Sequence, residues 1–184
     1  MTQRQYTPMK YEFDDLTSSW FRSRGYITEI LSSPCYCDVV AYHRKLKRFA
    51  ICEVKSPREI DAMPSWITEY NVKGLSRKKI LEQIKQVPGY KDDPGLWRLY
   101  SFTLSSQLFT YYKSAEEHLN AAKKRNGELG RIDIKKVRVI PYLAIPVENE
   151  KVVRKVLGYF KDQGWVKNFR FGRGGRLRVV TVRY

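Results

Sequence analysis

The chain has 184 residues, 42% of them hydrophobic and 14% aromatic, and a formal net charge of +16. That apolar content excludes a disordered chain, and the length suits a single domain with its own core. The charge points to a polyanionic partner, nucleic acid ahead of an anionic membrane surface. No apolar run approaches the roughly 20 residues of a membrane span, and the first residues lack the apolar stretch of a secretory signal. Three cysteines, an odd set without an export signal, suit a reducing interior. An intracellular, cytoplasmic location is expected.

Thr7-Pro8 predicts a helix start, Thr as N-cap and Pro at the first helical position. The helix is expected to run to about Arg24 and stop at Gly25, with Phe13, Leu16 and Trp20 facing the core. Glu12 and Asp15 lie beside that stripe, where acidic residues also suit the positive end of the helix. Tyr26 to Leu31 reads as a strand, followed by a Ser32-Ser33-Pro34 turn.

Val39–Tyr42 and Phe49–Val54 are short apolar runs rich in β-branched residues, separated by the basic turn His43 to Arg48. They predict a β-hairpin. Asp38 opens its first strand, and Glu53 and Lys55 share one face at the end of its second. Ionised groups are costly to bury, so this concentration suggests a site. Two carboxylates suit a hard cation such as Mg²⁺, which keeps waters and substrate phosphates as its other ligands. The carbonyl of Val54 is a further candidate ligand. Cys35 and Cys37 share a strand face, but with Cys52 they fall short of the four ligands of a zinc or iron–sulfur site. All three are expected as buried packing thiols.

An irregular connector from Ser56 to Gly74, with Trp66 and Tyr70, follows the hairpin. Ser76 predicts the N-cap of a helix over Arg77–Val87, with Ile80, Ile84 and Val87 inward and Gln83 at its edge. Trp97, Tyr100, Leu104, Leu108, Tyr111, Ala115, Leu119 and Ala122 predict one unbroken helix from Leu96 to about Arg125, its stripe serving as core or dimer interface. Val137–Pro146 is a strongly apolar, nearly central strand, although Pro141 argues for an edge or a bulge. An amphipathic helix over Glu148–Gln163 and a terminal hairpin around Gly172–Gly175 complete the chain. Residues 151–184 hold ten Lys or Arg and one acid, Asp162. Arg170, Arg173 and Arg176 at the hairpin tip are placed to fork onto phosphates, with Arg44, Lys45, Lys47 and Arg58 as further nucleic-acid contacts.

Asp38, with Glu53-Val54-Lys55 fifteen residues later, resembles the PD-(D/E)xK nuclease superfamily. The acidic helix before the hairpin and Ser56 after the lysine are most similar to archaeal Holliday-junction resolvases. The likeness covers roughly Tyr11 to Gly89. It implies an α/β, restriction-endonuclease-like α-β-β-β-α-β core with a mixed central sheet, here extended by a helical insertion and a C-terminal helix and hairpin. It implies a Mg²⁺-dependent DNA endonuclease, with Mn²⁺ able to substitute, in which Asp38, Glu53 and the Val54 carbonyl hold metal and Lys55 acts on the attacking water. It further implies that Glu12 from the first helix and Gln83 from the helix after the ExK strand join the site. Cutting both strands of a junction calls for a homodimer. The rival expectation is a non-catalytic, basic nucleic-acid-binding protein in which Glu53 and Lys55 form a structural ion pair.

Overall fold

The computed structural model describes residues 8–31, 35–56 and 71–184. The expected Ser32–Pro34 turn, the connector aromatics Trp66 and Tyr70, and the candidate contact Arg58 lie outside the described residues. The protein is α/β, built on a mixed six-stranded sheet of order β1-β2-β3-β4-β6-β5. Helix α1 (Pro8–Arg22) leads into three antiparallel strands, β1 (Ile27–Ile30), β2 (Val39–His43) and β3 (Arg48–Val54). Helices α2 (Arg77–Ile84), α3 (Pro94–Phe102), α4 (Leu108–Lys113) and α5 (Ala115–Lys123) follow. Strand β4 (Arg138–Pro146) then returns parallel to β3. Helix α6 (Glu150–Asp162) and the hairpin β5 (Asn168–Gly174) and β6 (Leu177–Arg183) close the chain, and β6 pairs antiparallel with β4. Among the described residues, no helix is long and apolar enough to cross a membrane.

Side-chain alternation divides the sheet between two helical layers. Ala50, Cys52 and Val54 of β3 pack with Phe13 and Phe21 of α1. Phe49 and Ile51 face the other way, onto Tyr111, Leu119 and Ala122. Beside them Leu143, Ile145, Val180 and Val182 pack against α2, α3 and α6. The inward stripe of α6 follows the spacing at Val153, Val156, Leu157 and Phe160, which are fully buried, while Val152, also expected inward, is half-buried.

Three local expectations are corrected. The inner face of α1 is turned from the expected one: Phe13, Asp14, Thr17, Ser18 and Phe21 are buried, while Leu16 and Trp20 are only half-buried and Asp15 is exposed. The long helix is not continuous. A π-helical turn at Thr103–Gln107 separates α3 from α4, and Ser114, at φ −102° and ψ 33°, breaks α4 from α5. Its apolar stripe is nonetheless buried within the chain's own core, which leaves that stripe no surface to offer a second copy. Cys37 and Cys52 are buried as expected, but Cys35 is exposed.

The terminal hairpin is pinned to α1 at close range. Trp20 Nε1 donates to the Arg173 carbonyl at 3.0 Å. A Cβ on Gly174 would lie 2.7 Å from Trp20 Cδ1, closer than van der Waals contact allows, whereas one on Gly158 in α6 would meet nothing within 4 Å. Gly174→Ala is therefore expected to destabilise the fold by about 1–3 kcal/mol. Gly158→Ala, which removes only backbone freedom from a helix, is expected to stabilise it by about 0.5–1 kcal/mol. Opposite shifts of the urea midpoint check the pair.

Candidate active site

The β2–β3 register sets Val39 across from Cys52. Continued by one residue, it sets Asp38 across from Glu53 on the face that carries Phe49 and Ile51. A carboxylate there reaches the neighbouring backbone: Val54 N–H donates to Asp38 Oδ2 at 2.7 Å. Lys55 lies just past the end of β3, where its own N–H donates to the Ala144 carbonyl of β4 at 2.9 Å. Its Nζ donates to Glu53 Oε1 at 2.6 Å and to Gln107 Oε1 at 2.9 Å. Asp38, Glu53 and Lys55 are 4%, 2% and 4% exposed. The structure thus brings together three of the residues singled out in the sequence, below the surface rather than in an open pocket.

Two other candidates are elsewhere. Glu12, on the exposed side of α1, forms an ion pair with Arg176 of the β5–β6 turn. Gln83 is exposed on α2, and the amide that meets Lys55 is Gln107. The carboxylate that α1 turns inward is Asp14, 1% exposed. Neither residue stood out in the sequence for a physical reason. Gln107 belongs to the π-helical turn, which carries five consecutive buried residues where an ideal helix would turn some outward. The one available signal was polarity, since Thr103, Ser105, Ser106 and Gln107 interrupt an otherwise apolar stretch and all are buried.

The electrostatics of the neighbours report where the charge sits. Burial pushes the Cys52 thiol well above its usual range, and the charges of Asp38, Glu53 and Asp14 add to the rise. Cys37 is raised in the same way, by burial first and then by Asp38 and Glu53. Tyr111, one turn beyond Gln107, is raised by burial and by Glu53. All three groups stay protonated at neutral pH. Buried and protonated, Cys37 and Cys52 serve as packing thiols. Among the described residues, no set of three or more His, Cys, Asp or Glu is arranged to hold a metal ion. The acidic donors at hand are the hard oxygens of two carboxylates, which suit a cation that keeps water or phosphate as its remaining ligands.

The expected nucleic-acid contacts are dispersed. Arg44, Lys45 and Lys47 sit on the β2–β3 turn, at the opposite end of β3 from Glu53, and Arg44 forms an exposed pair with Glu128 at 3.5 Å. Arg176 lies in the β5–β6 turn, Arg173 stands near the end of β5, and Arg170 is exposed earlier on the same strand. Comparison with known proteins adds nothing to this geometry: no family model, no curated protein and no solved structure matches the chain.

The segment leading into Asp38 is held by a histidine. Cys37 N–H donates to His118 Nδ1 at 3.3 Å, so the ring's proton belongs on Nε2, toward Ser114 Oγ at 3.4 Å. Burial holds the imidazole down to about 4. An unfolded chain binds that proton near pH 6.5. Between the two values the unfolded state carries the extra proton, so this contribution is present above the unfolded value and is lost as the pH falls toward 4. Between pH 7 and pH 5 the wild type is expected to lose about 2 kcal/mol more stability than His118→Gln. Urea titrations of both chains at the two pH values check this.

Proposed function

We propose that the protein is a metal-dependent DNA endonuclease with a restriction-endonuclease-like core. The observation that carries this reading is the convergence of Asp38, Glu53 and Lys55 at one end of the β2–β3 pair. The element order supports it: a helix, three antiparallel strands, helices, then a strand parallel to the third. Asp38 and Glu53, with the Val54 carbonyl, would hold Mg²⁺ or Mn²⁺. Such an ion would supply charge neutralisation at the phosphate and acidify a water.

The chain's own residues account for the rest. Lys55 orients the attacking water or stabilises the negative charge that develops on the phosphate. Gln107 gives the Lys55 ammonium a second acceptor, so it keeps a partner when Glu53 turns to a cation. His118 fixes the backbone ahead of Asp38, and the basic surface supplies affinity for DNA, which falls with salt. A substrate cut in both strands, such as a branched or Holliday junction, calls for two copies, one site per strand.

A second reading is favoured by the burial of the group. At 4% exposure or less, Glu53 and Lys55 also make a structural ion pair, and the protein would then bind nucleic acid without cutting it.

A panel of labelled junction, flap, duplex and single-stranded DNA with Mg²⁺ or Mn²⁺ separates the two. Under the nuclease reading the wild type cleaves at least one substrate. Asp38→Asn and Glu53→Gln each lower the rate by about a thousandfold while changing affinity by no more than about twofold. Chelation of the metal abolishes cutting. Binding of the panel without cleavage by any of the three chains leaves the binding protein as the answer.

A further inference from the structure

Strand β4 is central, yet its two neighbours hold it over unequal lengths. Its pairing with β3 runs from Arg138 to Ala144. Its pairing with β6 stops at Tyr142 opposite Thr181, although β6 continues to Arg183. The backbone shows why. Arg138 N–H donates to the Lys47 carbonyl, and the Ala144 carbonyl accepts from Lys55 N–H. Successive residues of a strand address opposite neighbours, so even-numbered residues of β4 face β3 and odd-numbered ones face β6. The next residue due to bond β6 is Pro141, which has no N–H to give. The ladder stops there, and the sheet splits between the start of β4 and the end of β6.

Two clefts, of about 360 Å³ and 520 Å³, adjoin this split and share Arg138, Ile140 and Arg183. The first lies on the α1 face of the sheet and adds Arg48 and Arg170. The second lies on the α4 face and adds Lys167, Tyr112 and Tyr184. No Asp or Glu lines either cleft. Among the described residues Arg44, Arg154, Arg176 and Arg178 each have a carboxylate partner, whereas the five cations at the split have none. Like charges gathered around a concave surface repel one another and raise the local concentration of anions. Each cleft has the volume of a small-molecule pocket, a size that a single strand can enter and the full width of a duplex cannot. Tyr112 and Tyr184, stacked at 6.0 Å with a 29° interplanar angle, line the second cleft, and an aromatic lining is one on which a base can stack.

We infer that the split between β4 and β6 is a binding slot for a single nucleic-acid strand, its phosphodiesters held by Arg48, Arg138, Lys167, Arg170 and Arg183. The slot is distinct from the carboxylate site. Arg48 and Glu53 lie five residues apart on β3, about 17 Å at a strand's rise per residue. Binding at the slot needs no metal and does not rest on the nuclease reading.

The test is fluorescence anisotropy of a labelled oligothymidylate against the full chain with divalent metal chelated. The double variant Arg138→Ala/Arg183→Ala is expected to weaken binding at least about tenfold and to reduce the salt slope by about 1.4, the loss of two phosphate contacts on a single strand. The control Lys151→Ala/Lys161→Ala, which removes two exposed charges from α6, is expected to change affinity by less than about threefold. Asp38→Asn is expected to bind as the wild type does, so loss of cleavage and loss of slot binding are read separately. An equal loss in the control would overturn the slot in favour of diffuse charge. Displacement of the oligonucleotide by inorganic tripolyphosphate at equal phosphate concentration would overturn the strand in favour of a free polyphosphate. Tighter binding of a blunt duplex than of the single strand, with the same dependence on Arg138 and Arg183, would also overturn it.

Discussion

A buried ion pair is the constraint on which the rest of the structure turns. Lys55 and Glu53 meet at 2.6 Å with almost no exposure to water. Removing both charges from solvent costs several kcal/mol, and replacing such a pair with well-packed apolar residues is often neutral or stabilising. Stability alone is therefore a poor reason to keep the pair. The supporting contacts, Gln107 on Lys55 and the Val54 N–H on Asp38, hold these groups in one geometry. That is what a reacting site needs and a hydrophobic core does not.

The parts of the fold legible in the sequence are those fixed by local chemistry. The β2–β3 hairpin declares itself because two β-branched runs flank a basic turn, and alternation then puts Glu53 and Lys55 on one face, where they meet in the structure. The helix N-cap Ser76, whose hydroxyl accepts from Lys79 N–H, and the amphipathic α6 are legible for the same reason. What was hidden depends on departures from ideal periodicity. One π-helical turn alters which residues of 103–107 point inward, and it delivers Gln107 to Lys55. In α1 the helical spacing of Phe13, Leu16 and Trp20 points to an inner face that the structure holds only at Phe13. Trp20 instead packs against the close-approaching glycines of the β5–β6 hairpin, and its hydrogen bond there spans 153 residues of sequence, which no local pattern encodes.

Pro141 shows how one residue is read differently at the two levels. Its missing N–H argues from sequence for an edge or a bulge. In the sheet it occupies a central strand, because the donor it lacks is needed on only one side. Pairing with β3 is undisturbed at Ile51 opposite Pro141, while pairing with β6 ends one residue earlier. The proline thus leaves β4 in the core and opens the sheet beside it.

The two ends of β3 and β4 have opposite electrostatic character. At one end two carboxylates, with Asp14 also felt at Cys52, outnumber the single ammonium of Lys55. A phosphate approaching that group meets net negative charge and is repelled until a cation arrives, so the group is poorly suited to binding nucleic acid by itself. At the other end the cations of the split and of the β2–β3 turn have few carboxylates to answer them. In the function proposed above, affinity and chemistry are therefore supplied from different ends of the same two strands. A rigid, fully paired β3–β4 ladder fixes the distance between them, and the charge of +16 lies largely outside the place where a bond would be broken.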